Sequence, residues 1–321
     1  MEKILKEFNN AKRILITGHI NPDGDCVGAG LSLMLGLNKL NSKLPKEEQK
    51  IIRFILQDSP PHTTDFLTHF PLIEKYENVV TKYEFDLAFV LDSGAYDRIG
   101  LVTNLIKENT KVINIDHHIS NNSYGHINYL DTNISSTSEY IYKILEALNV
   151  EIDTDMGESI YVGLVNDTGN FSYTNVSPKT FEIASKLREI GVNNEKIVRE
   201  FYDKKSLPRL RMLGYAMENF EFFPEKELSF VYIPYSVFQK YKAKKEDSEG
   251  VVEALRSFEK AQVALFLRQE ENGLIKGSFR SNGVDVNRIA AHFGGGGHIK
   301  AAGFTSDKNQ ETILKEILEL L

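Results

Sequence analysis

The chain has 321 residues, 41% of them hydrophobic and 26% charged, with a formal net charge of −7 and one cysteine. That length predicts roughly two domains at the usual ~150 residues each, and the composition is that of an ordinary globular protein. The acidic balance argues against a broad basic face for long double-stranded nucleic acid, but not against a small anionic substrate held by metal ions and a few basic side chains. Cys26, standing alone, excludes an internal disulfide and a multi-cysteine zinc site. No apolar run approaches the ~18–20 residues that span a bilayer, and MEKILKEFNNAKR lacks a signal-peptide core. A cytoplasmic protein with no membrane attachment is expected.

RILIT (13–17) predicts a strand, followed by the turn GHINPDGD and a helix over CVGAGLSLMLGLNKL (26–40). The runs IIRFILQ (51–57), FDLAFVLD (85–92) and KVINID (111–116) are almost continuously apolar, as strands buried on both faces are. Strands alternating with helices predict an α/β fold with a doubly wound parallel sheet. From 135 the pattern turns helical, through SSTSEYIYKILEALNV and ESIYVGLVNDTG. In SPKTFEIASKLREIG, Ser177 is placed to cap a helix, Pro178 to open it and Gly191 to end it. Helical signals continue to about residue 220 without a Gly/Ser- or Pro-rich linker, so 191–225 is expected to be a helical connector. Strands restart at 228–234, 261–269 and 274–282, with helical patterns at 249–259, 285–293 and 310–321. The expected organisation is an α/β domain over 1–190, the connector, and a smaller α/β domain over 226–321.

The first, third and fourth of these early strands end alike. RILIT runs into Gly18-His19 and then Asp23 and Asp25, FDLAFVL into Asp92-Ser93-Gly94, and KVINI into Asp116-His117-His118. The carboxyl ends of strands in an open parallel sheet share one edge, where ligands bind, so these side chains are expected to converge. Asp167, in GLVNDTGNF, falls in the last turn of an apolar helix, where a carboxylate opposes the helix dipole by ~0.3–1 kcal/mol and a nearby cation reverses that sign. Each element alone has a plain reading as a turn, a helix cap or a chance histidine pair. Their joint placement points to metal. Aspartates with histidines suit Mn²⁺, with Mg²⁺, Co²⁺ or Fe²⁺ also open. So many carboxylates are better served by two ions sharing one Asp, the arrangement that clamps the attacking and leaving oxygens in phosphoryl hydrolysis.

Near the C-terminus, the glycines of FGGGGHIKAAGF (293–304) permit close backbone approach to a ligand, although a flexible loop is the plain reading. Upstream, Arg280 in GSFRSN ends a strand with a group suited to phosphate.

Taken in order, GHINPDGDCVGAG, LDSG, DHH, NDTG, SFRSNG and GGGGHIKAAG resemble the DHH phosphoesterase superfamily over nearly the whole chain. The length and the GGGGH tail resemble its stand-alone nano-RNase/pAp-phosphatase branch. Ala29 stands where that family commonly has Ser, at a position that is not a ligand. The resemblance implies a DHH metal-binding catalytic domain over 1–190 and a DHH-associated substrate-binding domain over 226–321. It implies one ion on His19, Asp23 and Asp92, and a second on Asp25, Asp92, His117 and Asp167, with Asp92 bridging. His118 would face the scissile phosphate and Asp116 would orient the histidines. Arg280, Ser281 and Asn282, with Gly295, Gly296, Gly297 and His298, would meet the phosphate and sugar of the substrate. The implied activity is hydrolysis of short RNA oligonucleotides or dinucleotides to mononucleotides, with pAp as a further substrate and a homodimer as the assembly. The alternative on the same scaffold is a cyclic-di-AMP or pApA phosphodiesterase. The GGGGH tail argues against an inorganic pyrophosphatase, and the intact acidic set against a non-catalytic nucleotide-binding regulator.

Overall fold

In the computed structural model, which describes residues 2–79 and 83–321, helix α1 (Glu2–Asn10) leads into β1 (Arg13–Thr17), and α2 (Gly24–Asn41) follows the GHINPDGD turn. Strands β2 (Ile51–Leu56), β3 (Ile73–Lys75), β4 (Leu87–Leu91), β5 (Lys111–Asp116) and β6 (Ile127–Leu130) complete a sheet ordered β3-β2-β1-β4-β5-β6. Every pairing in it is parallel. Alternate residues of the central strands enter separate cores. Ile14, Ile16, Phe89, Leu91 and Ile113 pack with Leu31, Ile144 and Leu164 on one face, while Leu15, Ala88, Val90 and Val112 pack on the other. Burial on both faces explains the unbroken apolar runs. The edge strands β3 and β6 are short and only partly buried, and their polar residues hide them from a hydrophobicity pattern.

Helices α3 (Thr137–Ala147), α4 (Thr154–Asp167), α5 (Pro178–Glu189) and α6 (Asn194–Ile197) follow, then a π-helical turn, Val198–Asp203. This compact unit ends at Lys204. The chain winds from β1 outward to β3, then returns to place β4 on the other side of β1. That reversal makes a topological switch at the carboxyl edge between β1 and β4, where open α/β sheets form a crevice.

The second unit begins at Lys205. It contains α7 (Leu207–Asn219), β7 (Glu221–Phe223), β8 (Leu228–Ile233), α8 (Tyr235–Tyr241), α9 (Val251–Arg256), β9 (Val263–Gln269), β10 (Ile275–Ser281), α10 (Val286–His292), β11 (Gly296–His298), β12 (Ala301–Ser306) and α11 (Gln310–Leu320). Its sheet, ordered β11-β12-β10-β9-β8-β7, is antiparallel except where β8 meets β9. Part of the glycine-rich stretch is therefore strand β11, paired with β12, and not a free loop. Among the described residues no helix is long and apolar enough to cross a membrane.

The contact between α2 and α4 positions the site. A Cβ on Gly28 of α2 would lie 2.3 Å from the Ser159 carbonyl oxygen, and one on Gly163 of α4 would lie 2.5 Å from a carboxylate oxygen of Asp25. Only glycine allows this approach, which carries the C-terminus of α4 to the N-terminus of α2. Gly28→Ala is expected to destabilise the protein by ~1–3 kcal/mol through overpacking. Gly214→Ala, at an exposed α7 position with nothing within 4 Å, is expected to stabilise by ~0.4–1 kcal/mol. Chemical denaturation of both variants checks the contrast, and an unaffected Gly28→Ala would show that the helices have room to spare.

Candidate metal centre

His19 follows β1 across Gly18. Its Nδ1 lies 2.8 Å from the Ile20 carbonyl, which can only accept, so Nδ1 carries hydrogen and a neutral ring presents a lone pair at Nε2. That Nε2 is 3.5 Å from Asp92 and 3.8 Å from Asp23. Asp23 caps α2, its Oδ1 accepting from the amides of Asp25 and Cys26 at 3.0 Å each. The same side chain thus caps a helix and stands in the candidate ligand set.

Asp25 is fully buried, and both its oxygens accept backbone amides, Thr137 N at 2.7 Å and Ser138 N at 2.8 Å. These are free amides at the start of α3, so a helix N-terminus grips the carboxylate. Asp92 stands just past β4 with φ +53°, a left-handed backbone that Asp tolerates better than most residues. Its Oδ1 accepts from the Thr137 hydroxyl at 3.0 Å and lies 3.6 Å from His117 Nε2, so Asp92 sits between two imidazoles. Asp167 is the last residue of α4, and its Oδ2 lies 3.0 Å from His117 Nε2. That nitrogen is buried, with the carboxylates of Asp167 and Asp92 as its partners. Asp116, at the end of β5, stands behind the cluster. Its Oδ1 accepts from His117 N at 2.9 Å and His118 Nδ1 at 2.7 Å, and its Oδ2 from Asn121 Nδ2 at 2.6 Å.

Ligand atoms converge within 4.8 Å in three overlapping groups: His19–Asp23–Asp92, Asp25–His117–Asp167 and Asp92–His117–His118. Every sequence-expected member of the N-terminal site except Asp116 belongs to one of them. The C-terminal residues occupy their own unit. Arg280 donates to the Phe279 carbonyl at 2.9 Å and pairs with Glu253 at 3.0 Å. The hydroxyl of buried Ser281 donates to the Val284 carbonyl, and Asn282 donates to the Ala261 carbonyl at 3.0 Å. Gly296, Gly297 and His298 are exposed along β11, and Gly295 packs so tightly that a Cβ would lie 2.2 Å from the Gly303 carbonyl oxygen.

Sequence reading missed Thr137, Ser138, Asn121 and Asn166, whose Nδ2 donates to Asp167 at 2.7 Å. The Ser136…Glu139 spacing is a capping signature from which the start of α3 could be read, but not which carboxylate its amides hold.

Without a cation, protons balance the carboxylates. Burial opposes charge on His19, but Asp23 and Asp92 outweigh it and lift the ring to about 10. Burial opposes charge on His117 too, and Asp167, Asp25 and Asp92 lift it to about 10. Burial, with Asp92 and Asp23 adding to it, pushes Asp167 up to about 6 against the pull of His117. Burial beside Asp167 and Asp92 also raises Asp25. Despite burial, His19 and the α2 amides hold Asp23 low, and His118 with Asn121 does the same for Asp116. Carboxylates and imidazoles converging in this way fit divalent cations with oxygen and nitrogen ligands.

Such a cluster at the switch point of a parallel sheet is a candidate divalent-metal centre. The DHH family N-terminal domain model matches residues 13–164 and the DHHA1 domain model matches 230–321. The chain belongs to the DHH family. It is 30% identical over 315 residues to the bifunctional oligoribonuclease and PAP phosphatase NrnA of Thermus thermophilus, covering 96% of this chain and 90% of that one. Its identity to the protein of the same name from Bacillus subtilis is 27% over 304 residues, covering 94% and 91%. The crystal structure of an exopolyphosphatase-related protein from Bacteroides fragilis superposes with a TM-score of 0.89 at 28% identity, covering 99% of this chain and 94% of that one.

The raised histidines carry a stability consequence. An unfolded histidine titrates near ~6.5, so His19 and His117 bind extra protons in the folded, metal-free protein between that pH and about 10. Their stabilisation is complete below the unfolded value and is lost as pH rises through the folded one. EDTA-treated protein is expected to melt at progressively lower temperature across this window. Protein loaded with Mn²⁺ should not share that decline, because neutral rings are what a cation binds. A metal-free melting temperature that stays flat across the window would contradict the ion-paired description.

Proposed function

We propose that the protein hydrolyses short oligoribonucleotides and dinucleotides to mononucleotides, and removes the 3′-phosphate of pAp at the same site. The observation that carries this reading is the convergence of carboxylate and imidazole atoms from His19, Asp23, Asp25, Asp92, His117 and Asp167 in overlapping groups within 4.8 Å. Membership of the DHH family and the names of the curated relatives support the substrate class.

His19, Asp23 and Asp92 would hold one divalent cation, and Asp25, Asp92, His117 and Asp167 a second, with Mn²⁺ the best match to these ligands and Mg²⁺ or Co²⁺ as substitutes. When bound, the cations supply Lewis-acid polarisation of the phosphoryl oxygens and a nucleophile at neutral pH. Asp92 shares its two oxygens between the two groups. His118, its Nδ1 engaged by Asp116, offers Nε2 to a phosphoryl oxygen. The α3 amides hold both oxygens of Asp25 and aim the carboxylate. From the C-terminal unit, Arg280 and the 295–298 stretch would recognise substrate phosphate and sugar, while Ser281 and Asn282 brace the turn that follows β10.

The test is turnover by purified protein with Mn²⁺, offering pApA, RNA a few nucleotides long, pAp, cyclic di-AMP and pyrophosphate in parallel. Mononucleotide release from pApA and short RNA, abolished by EDTA and restored by Mn²⁺, is expected. Asp92→Asn should lower kcat by about 100-fold or more while circular dichroism stays unchanged. Cleavage of pyrophosphate alone would overturn the assignment. Failure to turn over any substrate, with cation demonstrably bound, would leave a nucleotide-binding regulator.

A further inference from the structure

We infer that Asn121 is a positioning residue that keeps His118 out of the metal cluster and free for substrate, acting through the Asp116 carboxylate. This rests on the reading above that His118 faces the phosphoryl group. His117 and His118 are adjacent, with ring centroids 4.7 Å apart, and both lie close enough to Asp92 to join it around an ion. His118 Nδ1 is only 3.7 Å from Asp92 Oδ1. Something must decide which imidazole is the ligand.

A carboxylate only accepts, so the 2.7 Å contact with Asp116 requires hydrogen on His118 Nδ1 and removes that nitrogen as a metal donor. The ring is held only as well as Asp116 is. Asp116 is fully buried, and the Asn121 amide is the hydrogen-bond donor to its second oxygen, at 2.6 Å. Asn121 cannot flip. Its Oδ1 accepts from Ser123 N at 2.7 Å, and its Nδ2 donates to Asn114 Oδ1 at 2.8 Å as well as to Asp116. A flipped amide would set oxygen against two acceptors and nitrogen against a donor.

The network continues to the sheet. Asn114 donates to the Val90 carbonyl of β4 at 3.1 Å and to the Tyr124 hydroxyl at 3.0 Å, and Tyr124 donates to the Ser93 carbonyl at 2.9 Å. Val90 and Ser93 flank Asp92 in the chain, so the His118 loop and the shared carboxylate are tied to one piece of backbone. Replacing Asn121 frees the second oxygen of Asp116 to turn, and with it the ring of His118.

The test uses the full-length protein with Asn121→Ala and with Asn121→Asp, an isostere that sets an acceptor against the carboxylate. The expectation is a kcat on pApA reduced by about 10–100-fold, with KM and Mn²⁺ affinity close to those of the parent and a melting temperature that is lower but still well above that of the assay. In an Asp116→Asn background, Asn121→Ala should add little, because both changes act on one path. Nitrogen-15 histidine NMR should show His118 protonated at Nδ1 in the parent and lose that signature in both Asn121 variants. An unchanged kcat in an active protein, multiplicative losses in the double variant, or an unchanged His118 signature would each overturn the inference. If the parent itself hydrolyses nothing, the phosphoesterase reading fails, and the NMR comparison still decides the role of Asn121.

Discussion

Buried carboxylates placed beside one another repel, and the centre of this protein is built to hold several of them together. Asp23, Asp25, Asp92 and Asp167 lie within reach of His19 and His117, with Asp25 and Asp92 cut off from solvent. Each has been given positive potential. Amides at the start of α2 face Asp23, amides at the start of α3 face Asp25, and Asp92 is shared by two imidazoles. What these partners leave uncompensated is the attraction for a cation.

The rest of the fold serves that concentration of charge. The switch between β1 and β4 brings the first two acidic loops side by side, and β5 adds the histidines. The close approach of α2 and α4 at Gly28 and Gly163 delivers Asp167 to a place its own helix disfavours. Left-handed Asp92 stores local strain that the flanking β4 and the Asn114–Tyr124 network hold in place.

Much of this was legible in the sequence because it is local. Continuous apolar runs reported strands buried on both faces, and acidic or histidine residues at their ends reported the shared edge. The oddly placed Asp167 was visible because helix polarity can be read along one segment. The contacts that were not legible join distant segments: Asp25 meets the α3 amides 112 and 113 residues further along. Asn121 looked like any polar loop residue, since its meaning depends on Asp116, Asn114 and Ser123 surrounding it at once. The glycine-rich tail read as a loop because the pairing that makes β11 a strand is supplied by β12, not by its own residues.

Every side chain of the acidic cluster lies between His19 and Asp167, inside the unit that ends at Lys204. Changes after Lys205 alter neither the cluster's ligands nor the amides that aim them, so substitutions in the second unit leave the concentration of charge in the first intact.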